Sequence, residues 1–268
     1  MQSNTNQADT PNQDDTSNQA KQAVILAAGE GTRLRPLTED KPKALVEVDG
    51  RPLIEHAFDF LLQNAEIQSF IVVTGYKGEQ IQQKYEKFYR DTPIVCVHQP
   101  EQHGLAHALF QSKLFIDDDF LVMLGDLVFS PDTSLDGFLD ASEEGDGALL
   151  TERVPEEEAS RYGIVDVDQE GRITELVEKP DDPPTNQIIT GVYALPQEIL
   201  PACREIEPSD RGEYELTDAL QLLIEEEGCD IRAVPMAEDD WRVDVGYPED
   251  RDTAEERLNN ELDFFAEE

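Results

Sequence analysis

The apolar positions of the chain change their period along its length, and each change marks an element. Residues 23–26, Ala-Val-Ile-Leu, form an unbroken apolar run of the kind a parallel strand buried on both faces carries. The run at 45–48 predicts a short strand, Asp49-Gly50 a turn, and Pro52 the first turn of a helix reaching Asn64. Leu53, Ala57, Phe60 and Leu61 fall on one face of that helix. A second buried strand is expected over 69–74. A helix follows over 79–89, with Ile81, Tyr85 and Phe88 along one side, then a third strand over 94–97. Gly104 opens a helix to about Phe115, and the strand at 120–124 runs into Gly125-Asp126. Strands alternating with helices imply right-handed crossovers and a mostly parallel sheet, hence the α/β class. Ligands of such sheets bind beyond the carboxyl ends of the strands, where the 27–43 loop, Gln99 and Asp126 fall.

The second half has shorter runs. Strands are expected over 148–154, 163–167, 172–177 and 188–195, with a turn at Gln169-Glu170-Gly171. A helix over 213–226 carries Leu216, Leu220 and Leu223 inward. Strands follow at 231–234 and 241–245, and Pro248 starts a C-terminal helix. No internal repeat is present, and no hexapeptide array that would build a C-terminal β-helix. Residues 1–20 are almost wholly Gln, Asn, Asp, Thr and Ser, too polar to offset the entropy of ordering, so they read as a disordered tail.

Charge alters the list of partners. Sixty acidic residues against 21 basic ones give a formal net charge of −39, spread along the chain, and only eight of the basic residues are lysines. Such a surface repels nucleic acid and anionic membrane. The composition resembles proteins of salt-loving archaea, in which salt screens the self-repulsion. No run of eighteen apolar residues and no signal-peptide core occurs, so membrane insertion is not expected. Cys96, Cys203 and Cys229 stand singly, with neither zinc spacing nor a disulfide framework, which suits a reducing cytoplasm.

Against that background, Arg33, Arg35, Lys41 and Lys43 crowd into eleven residues behind Ala27, Ala28, Gly29 and Gly31. Small residues let backbone N–H groups approach phosphate or base, and the cations imply an anionic ligand. The G-x-G-x-x-G dinucleotide turn fails because Leu34 holds its third glycine position, and P-loop spacing is absent. Asp126 and Asp244 each end an apolar strand beside glycine, so together they are candidates for one Mg²⁺, although acidic residues are common throughout. Lys179 is the only lysine after Lys113, and Arg211 sits just before the 213–226 helix, where it meets either a phosphate or a neighbouring carboxylate. Gln99 has an amide that can read a base edge. His103 and His107 have i, i+4 spacing, but no glutamate pattern accompanies them, so zinc is not expected.

Gly-x-Gly-Thr-Arg-Leu followed by Lys-Pro-Lys resembles the opening motif of the sugar-1-phosphate nucleotidyltransferases, with Thr38, Pro42 and Lys43 in register. The resemblance runs from Ala23 to Arg257 and keeps the family's order. It continues through Gln99 with Gly104-Leu105-Ala106, Leu124-Gly125-Asp126 and Arg161-Tyr162-Gly163, then Glu178-Lys179-Pro180, Thr190-Gly191-Val192-Tyr193, the Arg211 segment and Asp244-Val245-Gly246. The chain is similar to the glucose-1-phosphate uridylyl- and thymidylyltransferases, and its closing Trp-Arg-Val-Asp-Val-Gly looks most like the uridylyltransferase branch of haloarchaeal protein glycosylation.

This resemblance implies a Rossmann-like nucleotidyltransferase fold over 21–260, with a nucleotide-binding half at about 21–145 and a β-rich sugar-phosphate half at about 146–260. It implies an enzyme forming an NDP-sugar and pyrophosphate from an NTP and a sugar-1-phosphate, UTP and glucose-1-phosphate first among them. A dTTP-using enzyme and a non-catalytic nucleotide-sugar sensor are the alternatives, and homo-oligomerisation is left open. Arg33 and Lys43 would hold the triphosphate, and Asp126 and Asp244 would bind Mg²⁺. Leu26, Ala27, Ala28, Gly29, Gly31, Thr32, Gln99 and Gly104 would seat the nucleotide. Lys179 and Arg211 would grip the sugar phosphate, with Tyr162, Gly163, Glu178 and Val192 lining the sugar pocket. Leu127 stands where the family commonly has asparagine, which leaves the sugar open.

Overall fold

The computed structural model describes residues 21–266, with side chains described through Glu261; the tail expected over 1–20 lies outside the described residues. Lys21–Ala27 is central because nearly every side chain on it is apolar and buried. It pairs in parallel with Ile67–Thr74 on one side and Phe120–Leu124 on the other, and Thr92–His98 adds in parallel beyond Ile67–Thr74. Strand order therefore reverses at Lys21–Ala27, and a crevice opens at the carboxyl ends there.

Successive side chains on that strand enter opposite layers. Ala23, Ile25 and Ala27 pack with Phe58 and Leu61 of the helix Leu53–Asn64. Val24 and Leu26 pack with Leu109 of Leu105–Phe110 and with Leu220 and Leu223 of Leu216–Glu227. Helices thus cover both faces of the sheet, which explains the unbroken apolar runs of its strands.

The ten-stranded sheet is mixed. Gln187–Leu195 runs antiparallel to Phe120–Leu124 and to Gly147–Arg153. Gly163–Val167 and Ile173–Glu178 continue the antiparallel part, and Ile231–Pro235 lies parallel to Gly147–Arg153.

Several expectations are corrected at element ends. The 79–89 helix is Gly78–Tyr85; Glu86 takes φ +42, and Phe88–Tyr89 turns back as a strand against Thr92–His98. Tyr85 ends the helix because its hydroxyl bonds Glu55 at 2.9 Å and its ring meets Phe58, while Phe88 is exposed. The strand expected over 45–48 is only Glu47–Val48, since Lys43–Leu45 is a 3-10 turn. The 213–226 helix begins later, as Leu216–Glu227. Leu127–Phe129, Asp136–Glu144 and Ile199–Glu205 are additional elements. The first matters most, because Leu127–Phe129 pairs antiparallel with Arg242–Asp244 and sets Asp244 opposite Leu127.

Candidate active site

The opening loop is fixed from several directions. The Thr38 hydroxyl donates to Gly31 O at 2.7 Å, Gln102 Nε2 donates to Ala28 O at 2.7 Å, and Gly125 N–H donates to Leu26 O at 3.0 Å. Gly31 has φ +67, and a Cβ there would stand 2.9 Å from the Cβ of Lys43, so glycine lets the Lys43 segment close on the loop. Leu26, Ala27 and Ala28 are buried, and Gly29 is exposed at the mouth.

The two aspartates meet through the short ladder. Val245 N–H donates to Asp126 O at 3.0 Å, which ties the two strand ends together. Lys43 lies between the carboxylates, donating to Asp126 with its Nζ 3.7 Å from Asp244 Oδ1. Burial pulls the Lys43 ammonium down, but Asp126 and Asp244 outweigh it and its pKa is raised. Asp244 is raised as well, first by burial and then by the charge of Asp126. Oδ1 of Asp126 and Oδ1 of Asp244 are both buried without a hydrogen-bond partner. Two unpartnered carboxylate oxygens fit Mg²⁺, a hard cation that takes oxygen and completes its shell with water and substrate phosphate. Among the described residues no cluster of three His, Cys, Asp or Glu forms a metal cage, so substrate and water would supply the rest.

Arg33 follows the loop, exposed, with Nη1 3.2 Å from the Tyr247 hydroxyl and its Cζ 4.8 Å from that ring. Thr32 is exposed beside it. Gln99 is buried and donates to Gly104 O at 3.3 Å, with Nε2 2.9 Å from His107 Nδ1. Gly104, at φ +97, brings its backbone against Tyr214, where a Cβ would be 2.5 Å from Tyr214 O. His103 bonds Glu101 and His107 bonds Gln99 and Gln111, so both rings have protein partners.

The region expected to bind the sugar phosphate is built on Glu178. Lys179 Nζ bonds Glu178 at 2.7 Å and Thr217 Oγ1 donates to it at 3.3 Å. Gly163 leaves room for it, since a Cβ there would meet Glu178 Oε2 at 3.1 Å. Lys179 has φ +45, a strained conformation for a lysine, and its N–H donates to Tyr162 O at 3.0 Å. Arg211 precedes the helix by several residues rather than sitting at its start, and it bonds Glu215 at 2.9 Å and Glu213 at 3.3 Å, with Glu178 at 3.8 Å. The carboxylate-partner reading therefore describes Arg211 in this structure, although Glu178 keeps it beside Lys179.

A pocket of about 110 Å³ is lined by Tyr162, Gly163, Glu178, Lys179 and Asp244, with Leu105, Leu124, Leu127 and Gly191 on its apolar wall. Val192 is not a lining side chain: it is fully buried among Ile25, Met123 and Ala194 on the opposite layer. Gly191 opens the wall instead; at φ +98, a Cβ would stand 2.9 Å from both Leu124 Cδ1 and Leu127 Cδ1. Alternation decides this, because neighbours on a strand face opposite ways and Gln187–Leu195 is buried on both faces.

Sequence reasoning passed over Gln102, Tyr247, Arg161 and Arg242. Arg242 is nearly buried, ion-paired to Glu152 at 2.7 Å, with its Cζ 5.3 Å from the Tyr162 ring. The scarcity of cations that singled out Lys179 applies equally to Arg161 and Arg242.

Comparison with known proteins shows the family. The family model described as "Nucleotidyl transferase" matches residues 22–261. The chain is 50% identical over 240 residues to the UTP–glucose-1-phosphate uridylyltransferase AglF of Haloferax volcanii, covering 90% of this chain and 97% of that protein. It is 38% identical over 231 residues to the low-salt glycan biosynthesis nucleotidyltransferase Agl11 of the same organism, covering 85% of this chain and 63% of Agl11. A crystal structure of a UDP-glucose pyrophosphorylase complexed with UDP-glucose superposes with a TM-score of 0.81 at 26% identity, covering 91% of this chain and all of the other.

Proposed function

The chain belongs to the nucleotidyl transferase family, and we propose that it joins UTP to glucose-1-phosphate, giving UDP-glucose and pyrophosphate. The observation that carries this is the placing of Asp126, Lys43 and Asp244 against one another, bordering a pocket that holds Glu178 and Lys179. Similarity to AglF and to the UDP-glucose pyrophosphorylase supports the choice of base and sugar.

A phosphate oxygen of glucose-1-phosphate attacks the α-phosphorus of UTP in line. The P–O bond to the β-phosphate breaks, and its electron pair leaves on pyrophosphate. Lys179 and Arg211 hold the attacking phosphate, and the Glu178 pocket holds the ring. Arg33 and Lys43 offset the charge that builds on the α-phosphate and the departing oxygen. Asp126 and Asp244 would hold Mg²⁺, which when bound supplies further neutralisation of the phosphates. The base rests on backbone from Leu26 to Gly29, with Gln99 and Gly104 closing its edge. The chain divides the work between a nucleotide half at about 21–145 and a sugar-phosphate half at about 146–260.

Among the described residues no helix is long and apolar enough to cross a membrane. Three free cysteines support action in the cytoplasm. The test is a matrix of UTP, dTTP, GTP and CTP against several sugar-1-phosphates, in molar KCl with Mg²⁺, reading pyrophosphate release. UTP with glucose-1-phosphate is expected to give the highest kcat/KM. Tight UDP-glucose binding without turnover on any pair would overturn the reading in favour of a sensor.

A further inference from the structure

Gln99 follows directly on the strand Thr92–His98, and its backbone N–H donates to Thr74 O at 2.7 Å. This fixes it at the carboxyl ends of two parallel strands, beside the opening loop. Its side-chain Nε2 has two acceptors, Gly104 O at 3.3 Å and His107 Nδ1 at 2.9 Å. A primary amide has two N–H donors, and both are engaged inside the protein. Among the described residues no donor meets its Oε1, so the oxygen is the group left for a ligand.

The direction of that amide depends on His107. Partial burial and then the His103 ring, 5.3 Å away, lower the His107 pKa against the opposing pull of Glu101, and the Tyr214 ring lies 6.4 Å off. The imidazole is therefore neutral at neutral pH, with one N–H and one lone pair. Both ring nitrogens nevertheless face a carboxamide nitrogen: Nδ1 that of Gln99, and Nε2 that of Gln111 at 3.2 Å. Only one of them can receive an N–H; the other amide must turn over and accept with its oxygen.

Burial decides which amide turns. Gln99 is 3% exposed, and turning it would set its Oε1 against Gly104 O with no water to separate the two acceptors. Gln111 is half-buried, and turning it gives up only its bond to His107 O at 3.0 Å, which water can replace. Gln111 yields, the His107 hydrogen sits on Nε2, and the Nδ1 lone pair holds the Gln99 amide.

The free group at this end of the sheet is thus a carbonyl, whose complement is a ring N–H. Uracil and thymine carry one at N3, whereas cytosine carries a lone pair there. A carbonyl opposite that lone pair leaves two desolvated acceptors facing each other. We propose that His107 is a positioning residue for base choice: its Nδ1 holds the Gln99 amide with the carbonyl toward the base, which admits uracil and thymine and excludes cytosine. The inference rests on the nucleotidyl-transfer reading above, which puts the base against Gln99.

The experiment measures kcat/KM for UTP, dTTP and CTP with glucose-1-phosphate, and separately titrates UTP and CTP with Mg²⁺ into the full chain by calorimetry. His107→Phe keeps a ring and removes the acceptor, releasing the Gln99 amide to turn. Its UTP-to-CTP ratio is expected to fall about tenfold or more in both measurements, while its UTP-to-dTTP ratio stays within about twofold. His107→Asn, whose Oδ1 can stand where Nδ1 stood, should recover most of the ratio. Gln111→Leu removes the yielding amide from a half-buried position and should keep the UTP-to-CTP ratio within about twofold. An unchanged ratio in His107→Phe, an Asn variant no better than Phe, or a collapsed ratio in Gln111→Leu would each overturn the role of His107, and continued turnover of UTP would leave the nucleotidyl-transfer reading intact. Preference for UTP in binding that His107→Phe abolishes, in a protein that turns over no nucleotide, would keep the positioning role and remove that reading. Equal binding and turnover of UTP and CTP by the unaltered protein would overturn the role.

Discussion

The Lys43 ammonium stands 3.7 Å from Asp244 Oδ1 while it donates to Asp126, so one internal cation faces two carboxylates, each with an unpartnered buried oxygen. Lys43 does not satisfy the pair. Burial and then Asp126 raise the Asp244 pKa, despite the opposing pull of Lys43 and Arg242. A carboxyl whose folded pKa lies above its unfolded value binds its proton more tightly when folded. Stability therefore falls as pH rises from the unfolded value through the folded one, and the ionised group destabilises the ligand-free fold at neutral pH.

Asp244→Asn removes that ionisation. Its melting temperature at pH 7 without metal is expected to rise by roughly 2–4 °C, the shift that about 1 kcal/mol produces in a domain of this size. The difference should vanish as pH drops below the ordinary carboxyl range, where the side chain at position 244 is neutral in both proteins. If Asp244 holds the phosphate-bound cation as proposed, turnover should fall by about 10² or more. Scanning calorimetry and pyrophosphate release read the two effects. A destabilised Asn variant at pH 7 would show that the carboxylate is structural.

Arg33 presents the opposite balance. It is exposed and among the described residues bonds only the Tyr247 hydroxyl, so Arg33→Ala should change stability by no more than about 0.5 kcal/mol. If it meets the charge growing on the transferring phosphate, turnover falls by roughly 10²–10³. Tyr247→Phe, which loses only the hydroxyl contact, should cost less than about tenfold. Steady-state kinetics beside urea denaturation separate these outcomes; near-normal turnover in Arg33→Ala contradicts the assigned role.

How far the sequence could be read depended on what each residue had to do. Parallel strands buried on both faces must be continuously apolar, and 23–26 and 120–124 announced themselves for that reason. Leu127–Phe129 is three residues long, too short for any period, yet it brings Asp244 to Asp126. Asp136–Glu144 was hidden because acidic residues on its exposed positions look like the rest of this acidic chain. In the site, rarity was the readable signal: Lys179 stood out among few lysines and lies against Glu178. Val192 is buried in the opposite layer and Gly191 borders the pocket, a difference that a strand buried on both faces, with no polar alternation, does not show in its sequence.

The sugar wall gives a specificity prediction. Leu105, Leu124 and Leu127 face the pocket with no hydrogen-bonding group. A site discriminates strongly against a missing hydroxyl only where a buried polar group would be left unpaired. Deoxyglucose-1-phosphates lacking the hydroxyl on that side are therefore expected within roughly tenfold of glucose-1-phosphate in kcat/KM. Leu127→Asn should widen the gap by about a further tenfold, as its amide then requires a partner. Competition assays with the 2-, 3-, 4- and 6-deoxy compounds check this, and rejection of all four by the unaltered protein by 10⁴ or more would refute it.

Salt dependence follows from charge. Screening shortens the Debye length from about 10 Å at 0.1 M to about 3 Å at 1 M. Two terms oppose each other in this chain. Exposed ion pairs such as Arg35–Glu30 and Arg211–Glu213 weaken with salt, but each is worth about 0–1 kcal/mol. Self-repulsion among 60 carboxylates facing 21 cations acts over the whole molecule and weakens too. The second term dominates because most carboxylates have no cation to lose. The melting temperature should climb steadily from 0.1 M to 2 M KCl, and NaCl should act alike at equal ionic strength. A flat or falling curve in both chlorides, with stabilisation by sulfate alone, would attribute salt tolerance to exclusion of the salt from the surface rather than to screening.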